Sequence, residues 1–330
     1  MNNIISPARH STYFPGLDIL KFALSILIVA AHCAFLKEAP DLIYRFIGTL
    51  EGFAVPSFFA VSAFIFCSKI DNPGILGHSL RRIAIIFGVW YVLMLPLAYY
   101  GFLRHCNIKE YLYAAVLSCS FESYWFFKVL FINTLLLYIC LKWKKSLFYV
   151  GLTTGAVIYL VCGYNKFYHY LPFAIYPYFS FYFHIGSFFI GALCYRLYAR
   201  GVFSRLSSWA LLVVLALCIA ACMAYHAQAF VLVQLIIPMV LIPLFLRLST
   251  CNAERCKRLR ALSILFYAMQ FFFNWTYQIT FTHIAPSFPA LHAAMDISMV
   301  KFAFVMGSVA VLSRLVLKYE HRYEFLKYLH

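Results

Sequence analysis

The sequence has few charged residues. Only 12% of its 330 residues carry a charge, whereas a soluble domain usually has about 25%, and only 11 residues are acidic. Hydrophobic residues make up 64% of the chain. This composition excludes an ordinary soluble protein and predicts an all-α integral membrane protein. We expect one polytopic domain over residues 1–330, with no separate soluble domain.

Several motifs are also missing from the sequence. None of the 11 cysteines forms a C-x-x-C pair, and most of them lie inside apolar runs, so we expect neither a disulfide framework nor a metal site. There is no G-x-S-x-G motif, which argues against a serine hydrolase. The polar residues 1–16 lack a signal-peptide cleavage site, so we expect the first span to be retained.

Long hydrophobic runs predict about ten transmembrane helices, each separated from the next by charged or turn-forming residues. The predicted spans are 17–36, 51–69, 82–101, 124–141, 147–163, 179–198, 207–226, 229–247, 261–281 and 298–317. A further apolar stretch, 110–121, is too short to cross a bilayer, and its expected place is along or partly within the membrane interface.

The positions of the lysines and arginines indicate how the helices are oriented. If the amino terminus is cytoplasmic, 19 of the 27 cations fall in inner segments, 5 in outer segments and the remainder within spans. We therefore expect both termini in the cytoplasm and a multi-pass protein of the cell (inner) membrane. The net charge of +16 is then explained by contact with anionic membrane lipids, and no nucleic-acid partner is expected.

The first predicted span carries ionisable side chains on one face. Asp18, Lys21, Ser25 and His32 share that face, and the remaining positions are mostly Ile, Leu, Val and Ala. The eleven-residue separation of Lys21 from His32 returns to nearly the same azimuth after three turns, with a rise of roughly 16 Å. Ionisable groups within a membrane are costly and usually functional, so this face is a candidate catalytic face.

His32 is the candidate general base, because imidazole can accept a proton from a hydroxyl near neutral pH and return it to a leaving group. The alternative is a histidine that only packs against a neighbouring helix. Lys21 lies three residues after Asp18, so the two side chains can form an ion pair. Lys21 can also reach lipid phosphate or bind an anionic ligand that enters from the cytoplasm.

Arg81 and Arg82 begin the third predicted span on its inner side. Arginine side chains match phosphate oxygens and would suit an anionic donor, although the same pair also fits a role in membrane orientation alone. Ser62 lies in the apolar second span, where packing between helices is the simpler role for a hydroxyl.

The ninth predicted span carries Gln270, Asn274 and Gln278, spaced four residues apart on one helix face. Lipid cannot satisfy the hydrogen bonds of amide groups, so this face must contact protein or a hydrated cavity. We expect it to line a cavity, and hydrogen bonding between helices is the alternative. Trp125, at the start of the fourth predicted span, is a further candidate for lining this cavity, as is Ser62.

Together these stretches resemble the acyltransferase 3 family of integral membrane acyltransferases. The most specific match is the pattern of a basic residue, ten intervening residues and a histidine in the first span, here Lys21 and His32, with lysine where arginine is commoner. The other matching stretches are 18–21, 58–64, Arg81-Arg82, Trp125-Phe126 and 186–196. One position departs from the family pattern, since Gln270 stands where relatives often have histidine.

The resemblance implies transfer of an acyl group, most often acetyl, from acyl-CoA to a hydroxyl of a cell-surface glycan or a lipid-linked envelope precursor. No bound cofactor is implied, because acetyl-CoA or another acyl-CoA would be a co-substrate. His32, Lys21 and Asp18 would form the catalytic group, Arg81 and Arg82 would bind the donor, and the acceptor would lie nearer the outer side.

Two other classes of function remain open at this point. A transporter or flippase for an envelope glycan or an anionic small molecule would also need charges within the membrane and a polar helix face. Such a protein would more often show inverted repeats with paired broken helices, which this sequence lacks. A structural membrane-assembly protein would explain the spans but not the register of Lys21 with His32.

Overall fold

The structure is a computed structural model, which describes residues 13–101, 125–143, 145–164, 184–248 and 252–330. All regular elements in these ranges are helical. The α-helices are α1 Pro15–His32, α2 Asp41–Cys67, α3 Ile75–Gly101, α4 Trp125–Trp143, α5 Lys145–Tyr164, α6 Ile185–Ala199, α7 Val202–Arg205, α8 Ser208–Leu246, α9 Ala253–His283, α10 Pro289–Met295 and α11 Ser298–Tyr319. Two 3₁₀ helices, Ala285–Ser287 and Glu324–Leu329, complete the described elements. The predicted segment 110–121 and the beginning of the predicted span 179–198 lie outside the described residues.

Several helices have different ends from those that hydrophobicity predicted. Helix α1 stops at His32 rather than residue 36, because Ala34 and Leu36 adopt positive φ angles of 50° and 60°, which end a right-handed helix. Helix α2 begins ten residues before the predicted span, and its first turn holds an ion pair between Arg45 and Asp41 at 2.7 Å. The charged residues Asp41 and Arg45 interrupt the apolar run in this part of α2, so hydropathy did not include it in the predicted span.

Helices α3 and α9 also begin before their predicted spans. Helix α3 starts at Ile75, directly after Gly74 with its φ of +74°, so Arg81 and Arg82 lie in its second turn and not at its beginning. At α9 the side chain of Asn252 accepts hydrogen bonds from the amides of Glu254 and Arg255, at 2.9 and 3.4 Å. This N-cap begins the helix eight residues before the predicted span 261–281.

The helical segment α8 folds back on itself, so that its two halves form two antiparallel arms. A straight helix of 39 residues would be roughly 58 Å long. Yet Arg247, just beyond its carboxyl end, donates to the carbonyl of Phe203 at 3.2 Å and also contacts Ser208 at the opposite end of the helix. Side chains from both halves share one cluster, which contains Cys218, Cys222, Val233 and Ile237. The apolar arms Ser208–Ala224 and Val231–Leu246 therefore lie side by side, in agreement with two separate predicted spans.

Within the described ranges, five helical segments are long and apolar enough to cross a membrane. They are Pro15–His32, Asp41–Cys67, Ile75–Pro96, Trp125–Trp143 and Ser298–Tyr319. Shorter apolar helices occupy the two arms of α8 and parts of α5 and α6, and polar side chains lower the hydropathy of α9. The described residues thus support an all-α membrane architecture with five candidate spans, and the count of ten remains a prediction.

The first helix occupies the centre of the helical assembly. Helix α1 packs against α2, α8, α9 and α11, and its Leu17 and Val29 are fully buried. On another side of α2, helix α6 approaches so closely that a Cβ atom at Gly191 would lie 2.0 Å from the carbonyl oxygen of Ala60. This packing places the polar face of α1 between α2 and α9.

A loop carboxylate connects the end of α1 to the beginning of α11. Glu38 accepts a hydrogen bond from the backbone amide of Ser298 at 2.9 Å and a second one from its hydroxyl. It therefore caps the amino terminus of α11 from a distant part of the chain. These hydrogen bonds lower the pKa of Glu38 below its ordinary value.

We expect the contribution of this cap to depend on pH. Because the pKa of Glu38 is lower in the folded protein, its contribution should be complete above the unfolded value of about 4.3 and should disappear as the pH falls through the folded value. Thermal unfolding of Glu38→Gln and of the wild type, measured from pH 7 down to pH 3, should show a difference in Tm that vanishes at the acid end. Glu324→Gln, which alters another exposed glutamate, is the control. A Tm difference that stays constant over this range would contradict the prediction.

Candidate active site

A cavity of about 220 Å³ opens between α1, α2, α3, α4 and α9. Four cationic side chains line it, one each from α1, α3 and α9 and one from the turn after α2. They are Lys21, Arg82, Arg260 and Lys69. The rest of the wall is largely apolar, with the hydroxyl groups of Ser62, Ser79, Ser263, Thr134 and Tyr267 interspersed. The cavity thus offers positive charge together with an apolar surface.

Asp18 pairs with Arg260 and not with Lys21, contrary to the pairing that the sequence suggested. Arg260 donates to both carboxylate oxygens of Asp18, at 2.8 and 2.9 Å, and Tyr13 donates its hydroxyl to one of them at 2.8 Å. Burial, reinforced by the hydrogen bond to Asp18, raises the pKa of Tyr13, which keeps this donor protonated. The Asp18 side chain is 1% exposed, so its two partners balance a charge that water cannot reach.

The described residues provide no such counterion for the other three cations of the cavity. The ammonium group of Lys21 lies 5.2 Å from the centre of the Phe58 ring. Among the described residues, no carboxylate forms an ion pair with Lys21, Lys69 or Arg82. Burial and then the charges of Arg260 and Arg82 lower the pKa of Lys69, which lies just outside α2. An anion in the cavity would relieve this repulsion.

His32 lies apart from the cavity. It is the last residue of α1, its side chain is exposed, and its ring contacts Phe271 edge to face with a centroid distance of 4.7 Å. Helix α1 ends at this residue, four residues before the end of the predicted span 17–36. The helical rise of roughly 16 Å between Lys21 and His32 separates the two parts of the candidate site.

The predicted polar face of α9 runs from the core to the surface. Gln270 is fully buried, Asn274 is half-buried and Gln278 is exposed. The side-chain oxygens of Gln270 and Asn274 are buried without a hydrogen-bond partner in the described part of the chain. Because Gln270 precedes Phe271, which contacts His32, these two acceptor atoms lie on the part of α9 nearest His32.

Of the three remaining candidate residues from the sequence, one lines the cavity and two lie beside it. Ser62 lines the cavity, although its hydroxyl also donates to the carbonyl of Phe58 at 2.8 Å. Arg81 lines a neighbouring groove instead of the cavity. Trp125 stacks on His184 at 5.4 Å, in an aromatic group beside the cavity wall.

A family model described as an acyltransferase domain matches residues 14–315, which is nearly the whole chain. The chain belongs to the acyltransferase 3 family. Comparisons with curated proteins and with solved structures gave no match. Family membership and the apolar helices together identify a membrane acyltransferase.

Three cavity residues of this acyltransferase were not singled out as site candidates from the sequence. Lys69, His78 and Arg260 line the cavity, whereas in the sequence Lys69 and Arg260 are only two of the cations near the inner ends of predicted spans. Their position at the inner ends of predicted spans was the available signal. These positions could not show that the three side chains converge on one cavity, because the residues come from three different regions of the chain.

Proposed function

We propose that this acyltransferase moves an acyl group, most often acetyl, from acyl-CoA to a hydroxyl of a cell-surface glycan or an envelope precursor. The observation that carries the proposal is a cavity with an apolar wall and three cations for which the described residues provide no ion-paired carboxylate. A CoA-type donor combines negative phosphates with a long, thin arm, which suits both properties of the cavity. The positive-inside distribution supports an opening toward the cytoplasm, where this donor is made.

The acceptor would bind nearer His32 and the polar face of α9. The oxygens of Gln270 and Asn274 are unpartnered among the described residues, but they are buried, so a hydroxyl of a polyol acceptor can reach them only after the adjoining side chains move. Since Lys21 and His32 are separated by roughly 16 Å along α1, an extended donor is needed to carry the acyl group from the cations to the imidazole.

The proposed reaction uses His32 as general base. Its neutral imidazole takes the proton from the acceptor hydroxyl as the oxygen attacks the thioester carbonyl. When the intermediate collapses, the carbon–sulfur bond breaks and the imidazolium returns the proton to the departing thiolate. The products are an acyl ester and free CoA, and the cations at the other end of the donor hold it in place throughout.

The direct test supplies purified protein with radiolabelled acetyl-CoA and candidate glycans. We expect the label to appear in the glycan with an equal amount of free thiol released. Transport of the glycan without label transfer would instead favour the transporter alternative. The proposed inner-membrane orientation can be tested with reporter fusions at Lys145 and Arg258, which should report the cytoplasm, and at Lys166, which should report the outside.

Arg82 should determine donor affinity more than turnover. Arg82→Gln removes a charge-assisted contact worth about 1.5–3 kcal/mol, so the donor KM should rise about tenfold or more while kcat changes little. Initial rates measured against acyl-CoA concentration test this expectation. Arg200→Gln, which removes an exposed arginine after α6, is the matched control. An unchanged donor KM in a correctly inserted Arg82→Gln variant would leave Arg82 with a role in membrane orientation only.

A further inference from the structure

A second groove, of about 400 Å³, lies beside the cavity along α3. Its lining comes from α3 and from the carboxyl-terminal segment 320–330, which is called the tail below. His78, Arg82 and Ile86 line both the groove and the cavity. The two spaces therefore adjoin at Arg82, and a single elongated ligand can occupy both.

The tail is fixed to α3 by buried contacts. The indole nitrogen of Trp90 donates to the carbonyl of Leu329 at 3.1 Å, and the Leu329 side chain is 7% exposed. Leu326, one 3₁₀ turn earlier, also packs on the core. His330 forms a contact with Glu320 at 2.7 Å, which joins the two ends of the tail. With two leucines directed inward, Lys327 and Tyr328 line the groove.

The groove has the chemistry of a phosphate site. Arg81, Arg82 and Lys327 bring three positive charges to it, and no aspartate or glutamate is among the described residues that line it, while Glu320 contacts the lining residue His330. Arginine and lysine both bind phosphate, and arginine does so through two parallel hydrogen bonds. Tyr328 is 53% exposed beside these cations and offers an aromatic ring on which a nucleobase can stack.

We propose that the tail and α3 together bind the nucleotide end of the acyl donor. Lys327 and Arg81 contact its phosphates, Tyr328 contacts its base, and the acyl-bearing arm passes Arg82 into the cavity. This inference rests on the proposed use of acyl-CoA, and it adds a nucleotide subsite formed by a segment outside the family match, which ends at residue 315. Lys327 is then a donor-binding residue with no part in the chemical step.

The test compares two ligands that differ only in the nucleotide. Affinities of CoA and of 4′-phosphopantetheine are measured by calorimetry for the wild type, Lys327→Gln and Arg81→Gln. We expect each substitution to weaken CoA about tenfold and to leave the affinity of 4′-phosphopantetheine unchanged. Both side chains are exposed, so the variants should fold, and their thermal unfolding should match that of the wild type.

Lys318→Gln is the matched control, because it removes an exposed lysine from the end of α11 outside the groove. Equal weakening of CoA by this control would assign the effect to general surface charge and overturn the proposal. Unchanged CoA affinity in both Lys327→Gln and Arg81→Gln would overturn the proposed nucleotide subsite at the tail, but not the proposal that acyl-CoA is the donor. Failure of the wild type to bind CoA at all would overturn the proposed donor as well.

Anionic lipid headgroups carry phosphate too, so the measurements are made in nanodiscs with and without phosphatidylglycerol. If the groove serves the nucleotide, the loss of CoA affinity in Lys327→Gln should be present in both membranes. If that loss occurs only without phosphatidylglycerol, lipid phosphate occupies the groove in a native membrane, and the nucleotide assignment is wrong.

Discussion

His32→Ala is expected to reduce acyl transfer by roughly 10²–10⁴-fold while the protein still folds, inserts and binds its donor. The reduction follows from loss of the proposed proton acceptor. Folding should survive because the imidazole is exposed at the end of α1 and contacts the ring of Phe271 only at its edge. Transfer rate, donor affinity and expression level should be measured on the same preparations. His283→Ala, at the exposed end of α9, provides the control.

His32→Gln distinguishes catalysis from packing. Glutamine can still form hydrogen bonds but cannot take up a proton near neutral pH, so transfer should fail nearly as completely as in His32→Ala. A histidine needed only for packing would give the opposite order, with glutamine active and alanine poorly expressed. An active His32→Gln enzyme would therefore remove His32 from the proposed mechanism.

Arg260→Gln is expected to destabilise the protein by about 3–5 kcal/mol, more than Asp18→Asn does. The asymmetry follows from exposure: the Asp18 side chain is 1% exposed, whereas Arg260 is 32% exposed and lines a cavity. Removing the arginine leaves a carboxylate buried without its cation. Removing the carboxylate leaves a guanidinium that solvent can reach. Unfolding measured in detergent, together with the amount of inserted protein, tests this order.

The double variant Asp18→Asn/Arg260→Gln should recover part of the stability lost in Arg260→Gln, because it leaves no unpaired charge. Arg258→Gln, which changes an exposed arginine of the same helix, should have little effect. The family resemblance implies a catalytic role for Asp18. If Asp18→Asn is stable but inactive, the catalytic interpretation is correct; if it loses activity only in proportion to its stability, Asp18 positions Arg260.

Hydrophobicity was enough to predict the apolar centres of the helices but not their ends. The two arms of α8 coincide with the predicted runs 207–226 and 229–247, because each arm is almost entirely apolar. The ends depend on features that hydropathy does not measure, such as the side-chain cap at Asn252 and the positive φ angles at Ala34 and Leu36. The early end of α1 makes His32 the last residue of the helix, where its side chain is exposed.

The candidate site was predictable only where its residues share one helix. The spacing of Lys21 and His32 could be read from the sequence because the α-helix is periodic. The ion pair of Asp18 with Arg260 could not, since Lys21 is the nearer cation in sequence and the choice between them depends on how α1 packs against α9. The same applies to Lys69, whose place in the cavity follows from contacts between helices.

The pairing of α1 with α9 constrains the order of events during synthesis. Asp18 and Arg260 are 242 residues apart in the chain. At the usual elongation rate of about 5–20 residues per second, roughly 12 to 50 seconds pass between the appearance of the two side chains. The first helix must therefore enter the bilayer before its partner exists. During that interval Lys21, three residues away, is the cation that the nascent helix itself can offer to Asp18.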